Sequence, residues 1–94
     1  MVRHVVMWKF QEGQRENMQR FLEQLQALQG VIPEIVDMEA AADWGAAGHY
    51  DAVLIATFRS REDLEAYQKD PRHVVVSQLC TSIRADRVAV DFEF

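Results

Sequence analysis

Apolar residues recur with two different periods along this chain, and the points where the period changes predict its secondary structure. Four stretches are dense in β-branched and aromatic residues or alternate apolar with polar positions, as strands do. Two stretches place apolar residues three and four positions apart, as amphipathic helices do. The predicted elements are, in chain order, a strand over 1–10, a helix over 14–29, a strand over 35–42, a loop over 43–49, a strand over 50–59, a two-part helix over 60–83 and a strand over 87–94.

Short local motifs indicate where the helices begin and end. Ser60 stands three residues before Asp63, a spacing similar to that of a capping box at a helix N-terminus. The pair Asp70-Pro71 predicts a break in the second helix and a new start, with Asp70 as the N-cap and Pro71 at the first helical position. Gly30 follows the first helix at a position typical of a C-terminal cap.

The order of elements, β-α-β-β-α-β, predicts one α+β domain over residues 1–94 with a ferredoxin-like, four-stranded antiparallel sheet. That topology places the first and third strands in the centre, and both are apolar on both sides. In the first strand we assign the face of His4 and Trp8 to the helices, which leaves Val5 and Met7 on the other face. Because two helices cover only one face of a sheet, we expect a second copy of the chain to cover the other face in a two-fold homodimer.

Composition and charge indicate which kinds of partner the protein binds and in which cellular compartment it is expected. The chain is 49% hydrophobic and 27% charged, which excludes a disordered polypeptide. Its net charge is −5 and it has no basic cluster, so nucleic acid is not an expected partner. No apolar run is long enough to span a membrane, and the opening residues do not form a signal peptide. The single cysteine, Cys80, cannot form an internal disulfide, so a cytoplasmic location is expected.

Several segments together carry a resemblance to a known family. They are VRHVVMWKF (2–10), GVIPE (30–34), YDAVLI (50–55), AYQ (66–68), DPRHV (70–74) and VDF (90–92). On these segments, which follow the family's order and cover nearly the whole chain, the sequence resembles the stress-responsive A/B barrel (Dabb) family. The resemblance implies a homodimeric α+β barrel, which agrees with the sheet that is apolar on both faces.

One enzymatic branch of that family, the plant polyketide cyclases of the olivetolic acid cyclase type, closes a ring by aldol condensation without a cofactor or a metal. Its pattern has a histidine in the first strand, a tyrosine in the second helix and a histidine six residues later, and His4, Tyr67 and His73 match these positions. A further histidine of the branch falls where this chain has Ala52. His49 lies close to that position, but before the strand.

The residues themselves also indicate acid–base chemistry. His73 is predicted to be the third residue of the helix that begins at Pro71, and the positive end of a helix lowers the pKa of a nearby imidazole. A neutral imidazole can accept a proton from carbon or oxygen, and the N–H groups of the same helix end could bind an oxyanion. Tyr67, on the inward side of its helix, could donate a hydrogen bond to a substrate carbonyl and orient it. Each of these residues could instead have only a structural role.

The substrate-binding positions are predicted on the helix-facing side of the two central strands. His4 could support the acid–base pair, and Trp8 and Leu54 would form apolar walls. Ala52 and Ala56 are small and could leave a cavity between sheet and helices. The three histidines, at 4, 49 and 73, lack the local spacing of metal ligands, so we expect neither a metal nor another cofactor.

These observations lead to three hypotheses about function. The first is a homodimer that binds a small hydrophobic or aromatic molecule and catalyses aldol cyclisation or isomerisation, with His73 as base and Tyr67 as donor. The second is a non-catalytic, stress-associated scaffold. The third is a haem-degrading or aromatic monooxygenase, as in other dimeric α+β barrels.

Overall fold

A computed structural model describes residues 1–45 and 49–94 of the chain. The elements in this part are β1 (Val2–Phe10), α1 (Arg15–Gln26), β2 (Ile35–Ala42), β3 (Ala52–Phe58), α2 (Arg61–Lys69), α3 (Pro71–Ile83) and β4 (Arg84–Glu93). Their order confirms the predicted β-α-β-β-α-β pattern, with the second helix in two segments. The loop predicted over 43–49 is described only at its ends, and Gly48 lies outside the described residues.

The four strands form one antiparallel sheet in the order β2-β3-β1-β4, which confirms the ferredoxin-like prediction and the central position of β1 and β3. The pairing of the strands agrees with the predicted assignment of residues to the two faces of the sheet, because residues directly opposite each other in neighbouring strands point to the same face. Val6 of β1, for example, lies opposite Leu54 of β3 and Ala89 of β4. All three therefore lie on the same face of the sheet.

The two faces of the sheet differ sharply in exposure. On the inner face, which the three helices cover, Val6 and Leu54 are 1% and 2% exposed. On the outer face, Met7 is 40% exposed and Val90 58%. Alternation along the strands thus divides the sheet into a buried side and an apolar side that faces water, as the sequence predicts.

The second and third helices begin with the N-terminal caps expected from the sequence. The Ser60 hydroxyl accepts a hydrogen bond from the Asp63 backbone N–H at 3.1 Å and begins α2. Asp70 has extended backbone angles, as a residue before proline favours, and its carboxylate accepts a bond from the Arg72 backbone N–H at 2.9 Å. Gly30, expected as the C-terminal cap of the first helix, does not cap it: the cap is Ala27, and Gly30 lies in the chain that follows with φ +85°, a conformation that costs glycine little.

Two boundaries differ from the prediction because contacts between elements set them. Helix α1 ends at Gln26 rather than at 29. There the Gln26 side-chain amide binds β2, donating to the Met38 carbonyl (2.7 Å) and accepting from the Ala40 N–H (2.9 Å). Strand β4 begins at Arg84 rather than at 87, since Arg84 pairs with Phe10 beyond a register shift that leaves Ala85 as an extra residue in β4.

Tyr50 is a third difference. Predicted as the first residue of the third strand, it lies before β3. Its hydroxyl donates to the Asp86 carboxylate at 2.7 Å, so the residue ties this loop to the start of β4.

Candidate functional site

A small cavity of about 60 Å³ lies between the inner face of the sheet and the helices. Side chains from β1, β3 and β4 form its floor, and side chains from all three helices form its walls. Five of the six predicted site residues line it: His4, Trp8, Leu54, Tyr67 and His73. The fold therefore gathers residues that are up to 69 positions apart in the sequence, from His4 to His73.

Ala52 is the predicted residue that is not among those lining the cavity. It is buried on the inner face and pairs with Trp8 across the β1–β3 ladder. Trp8 packs edge-on against Phe21 of α1, with ring centroids 5.1 Å apart. A large side chain beside a small one fills this part of the core, so the cavity lies nearer to β4 and α3 than the two alanines suggested.

Tyr67 is completely buried, and its hydroxyl has no hydrogen-bond partner in the described part of the chain. Its ring packs against Phe58 of β3, with centroids 5.1 Å apart. Burial raises the pKa of the phenol well above its ordinary value of 10.0, and the charge of Arg87 opposes this only weakly. Tyr67 is therefore a protonated hydrogen-bond donor at any physiological pH.

His73 is brought to Tyr67 by the break between α2 and α3. In a continuous helix, residues six positions apart would be separated by about 9 Å along the axis and would lie on different faces. The break at Asp70-Pro71 instead places the two rings with their centroids 4.3 Å apart. The proline and the N-cap thus assemble this pair.

The hydrogen bonds of His73 fix which ring nitrogen can act as a base. Its Nδ1 lies 3.3 Å from the backbone carbonyl of Gln68, and because a carbonyl only accepts, Nδ1 carries the proton. In the neutral ring Nε2 is then an unprotonated acceptor. Burial is the first cause that lowers the pKa of His73, the Gln68 carbonyl opposes it, and the charges of His4 and Arg87 lower it further.

The direction of that shift agrees with the sequence prediction, although its main cause is burial rather than the helix end. At the helix end, the N–H of Arg72 is bonded to the Asp70 carboxylate and the N–H of Val74 to the Asp70 carbonyl. The Tyr67 hydroxyl is a further donor beside His73.

His4 is held by a residue that the sequence analysis missed, Asp91. The two are directly opposite in the β1–β4 ladder, and His4 Nδ1 donates to the Asp91 carboxylate at 2.5 Å. His4 is 4% exposed and lines the cavity. The alternation of β4 carried a signal for this pair, because outward Val90 and Phe92 place Asp91 on the inner face.

Two arginines of β4, Arg84 and Arg87, also line the cavity and were also missed. Arg87 lies opposite Trp8 in the ladder, on the inner face. Cys80, a buried core residue on α3 as predicted, lines the same cavity. Burial raises the pKa of its thiol to about 11, so it stays protonated and is a poor nucleophile.

His49 lies outside the cavity, and the described residues form neither a metal site nor a membrane-spanning helix. His49 is exposed, as predicted, and only its carbonyl is engaged, by the Lys9 ammonium at 3.2 Å. Within residues 1–45 and 49–94, no three His, Cys, Asp or Glu side chains are grouped so as to hold a metal ion. Over the same residues, no helix combines the length and the apolar character needed to cross a membrane.

The cavity places a proton acceptor, His73, beside a hydrogen-bond donor, Tyr67. His73 offers an unprotonated Nε2, and Tyr67 offers an O–H that no other residue of the described ranges 1–45 and 49–94 binds. Trp8, Phe21 and Leu25 provide an apolar wall that excludes water from part of the space. Such a pair can remove a proton from carbon and stabilise the negative charge that forms on a neighbouring oxygen.

Comparison with known families and structures gives a consistent picture of the fold. The family model described as the stress responsive A/B barrel domain (Dabb) matches residues 2–94. None of the curated protein sequences compared with the chain matches it. A dimeric ferredoxin-like protein of unknown function from Thermobifida fusca is 29% identical, with a TM-score of 0.88 over 99% of this chain and 90% of that one.

Two further structures are similar in fold alone. A dimeric protein of unknown function with a ferredoxin-like fold, from Bacteroides fragilis, has a TM-score of 0.91 at 24% identity, over 99% of this chain and 95% of that one. The hydroxynitrile lyase from Passiflora edulis has a TM-score of 0.83 at 18% identity, over 97% of this chain and 90% of that one.

Proposed function

The chain belongs to the stress-responsive A/B barrel (Dabb) family, and we propose that it is a homodimer that binds a small carbonyl compound between sheet and helices and moves a proton on it without a cofactor. His73 acts as the base and Tyr67 as the donor to the carbonyl oxygen. The observation that carries the proposal is the buried Tyr67 hydroxyl with no partner among the described residues. A hydrophobic or aromatic ligand fits the apolar wall beside it.

An unpartnered buried hydroxyl is costly to keep. Leaving a polar group without a hydrogen bond in a protein interior costs about 1–3 kcal/mol, and phenylalanine would fill the same space without that cost. Tyr67 lies in a cavity, in ring contact with a histidine whose Nε2 is free. A ligand oxygen in the cavity would supply the missing acceptor.

The proposed step balances in protons and electrons. Neutral His73 Nε2 takes a proton from the carbon next to the ligand carbonyl. The C–H electron pair forms the C=C bond of an enolate, and the π pair of the C=O bond moves onto the oxygen. Tyr67 donates a hydrogen bond to that oxygen. In an aldol cyclisation the enolate carbon then bonds to a second carbonyl carbon, and the new alkoxide takes the proton back from His73. In an isomerisation the proton returns to a different carbon.

The size of the cavity limits what enters it. At about 60 Å³ it is less than half of the roughly 150 Å³ in which an engineered protein cavity binds benzene. Only the reactive end of a larger ligand would therefore lie beside Tyr67. A surface groove of about 340 Å³, lined in part by Val2, Leu64 and Asp91, shares Gln68 with the cavity and offers space for the rest.

The homodimer is proposed from the outer face of the sheet. That face carries exposed apolar residues on β1, β3 and β4, among them Met7, Ile55, Val88, Val90 and Phe92. A continuous apolar surface of this kind is uncommon on a monomer and is satisfied by a second copy, sheet against sheet. Two of the structures with the same fold are described as dimeric, which supports the proposal.

A non-catalytic scaffold remains the second candidate, because the small cavity leaves the core nearly filled. The monooxygenase hypothesis has less support from the geometry. Sites for drug-sized ligands and cofactors are commonly about 300–1,000 Å³, far above the 60 Å³ found between sheet and helices.

Hydrogen–deuterium exchange at carbon tests the proposal without knowledge of the natural substrate. The protein in D₂O is mixed with acetophenone or with pyruvate, and loss of the methyl signal next to the carbonyl is followed by proton NMR. We expect exchange faster than in buffer, lowered about a hundredfold by His73→Gln or Tyr67→Phe. His49→Gln, which changes an exposed histidine, is the matched control and keeps the wild-type rate. If neither probe exchanges faster than in buffer, the catalytic proposal is wrong and the scaffold is favoured.

A further inference from the structure

The charges around the cavity are the opposite of those of the chain as a whole. The protein has 15 acidic and 10 Lys and Arg residues. Among the described residues that line the cavity there are two arginines and two histidines but no aspartate or glutamate. Asp91, which lies beside the cavity residue His4, is already engaged with it. An acidic protein thus surrounds its cavity with cationic and neutral groups.

Arg87 is the most informative of these cations, because its guanidinium makes no ion pair or hydrogen bond within the described ranges. Two other arginines of the chain are paired. Arg61 pairs with the Glu93 carboxylate at 2.5 Å, and Arg72 bonds the Asp70 carboxylate and the Val31 carbonyl. A guanidinium has five N–H donors in a planar fork that fits a carboxylate. At Arg87 this fork is free.

The sheet aims Arg87 at the acid–base pair. It lies on the inner face of β4, opposite Trp8, and lines the same cavity as Tyr67 and His73. Its charge is close enough to lower the pKa of both of those residues. Because Arg87 is exposed as well, it stands where the cavity meets water, at the place where an incoming ligand would first contact the site.

We propose that Arg87 makes this site selective for short oxo acids, whose carboxylate binds the guanidinium while the keto oxygen accepts the Tyr67 hydrogen bond. This inference rests on the function proposed above and adds the class of ligand. An oxo acid presents an anionic group next to a carbonyl, and its small size suits a cavity of about 60 Å³. His73 Nε2 would then face the carbon on the far side of the carbonyl.

The test compares pyruvate with pyruvamide, its neutral analogue of nearly equal size, in titrations followed by NMR of the labelled protein. We expect pyruvate to bind more tightly than pyruvamide. Arg87→Gln should weaken pyruvate binding by about tenfold or more, with no change for pyruvamide. Arg20→Gln, which removes the same charge from the exposed surface of α1, is the matched control and leaves both affinities unchanged.

Each other outcome overturns a defined part of the argument. Equal affinity for pyruvate and pyruvamide, an Arg87→Gln variant that binds pyruvate as well as wild type, or no binding of either probe would each refute the oxo-acid inference. Inorganic phosphate that displaces pyruvate at equal concentration would refute the choice of a carboxylate. If pyruvate binds through Arg87 but shows no exchange at its methyl group, the oxo-acid site stands and the catalytic proposal fails.

Discussion

The two faces of the same sheet are built from neighbouring residues of the same strands, yet they have different properties. On the inner face of β1, Val6 is almost completely buried, and the polar exception, His4, is held by Asp91 and lines a cavity. One residue further along, Val5 and Met7 point to the outer face, where apolar side chains meet water. A step of one residue therefore separates a surface suited to chemistry from a surface suited to association.

The comparison also shows where the protein tolerates unfavourable energy. On the outer face the cost is exposed apolar area, which the proposed second copy would cover. On the inner face it is the buried Tyr67 hydroxyl, which a ligand oxygen would satisfy. Both costs are local, so single substitutions can test them separately.

The largest effect is expected from a charge on the outer face. Val90→Asp would place two unpaired carboxylates in each dimer interface, and each would cost several kcal/mol to bury. Sedimentation equilibrium should then change from twice 10.9 kDa for the wild type to 10.9 kDa for the variant.

Val75→Asp is the matched control for that experiment. Val75 is 65% exposed and Val90 58%, but Val75 lies on α3 rather than on the sheet. The control should remain dimeric. A monomeric wild type, or equal behaviour of the two variants, would contradict the dimer through the outer face.

A smaller effect is expected from a substitution inside the cavity. Most core substitutions lower the free energy of unfolding, but this one should not. Tyr67→Phe removes a hydroxyl that has no partner, so the free energy of unfolding should stay unchanged or rise by about 1 kcal/mol in urea denaturation. Tyr50→Phe is the matched comparison, because the Tyr50 hydroxyl donates to Asp86, and its free energy of unfolding should fall rather than rise. A loss of more than about 1 kcal/mol at Tyr67 would mean that its hydroxyl is satisfied by a bound water, and the argument for a ligand oxygen would lose its basis.

The smallest effect is expected from pH. The pKa of His73 in the folded chain is lowered from 6.5, mainly by burial, so below pH 6.5 the unfolded chain binds more protons than the folded one. Stability should therefore fall as the pH decreases through this range, and less so in His73→Gln. Urea denaturation at pH values on both sides of 6.5 measures the difference, with His49→Gln as the control that keeps the wild-type dependence. An identical pH dependence for wild type and His73→Gln would show that the His73 imidazole is not destabilised by burial.

Much of the fold was predictable because it depends on local patterns. The Ser60 and Asp70 caps bond as their sequence positions indicate, since a cap needs only residues two or three positions away. The exposure of the outer face followed from strand alternation and the number of helices. By contrast, the end of α1 at Gln26 and the start of β4 at Arg84 depend on contacts with β2 and β1, which no local window contains.

For the candidate site, the sequence by itself determined the residue types and the break that joins two of them. Histidine, tyrosine and an Asp-Pro break are visible in the chain, and the break is a property of the proline ring and the residue before it. Only the tertiary structure decided that Asp91 holds His4, that Arg87 lines the cavity, and that Ala52 is not among the residues that line it. Each of these depends on the register between strands and on how large side chains share the space between sheet and helices, and both are settled only when the distant parts of the chain pack together.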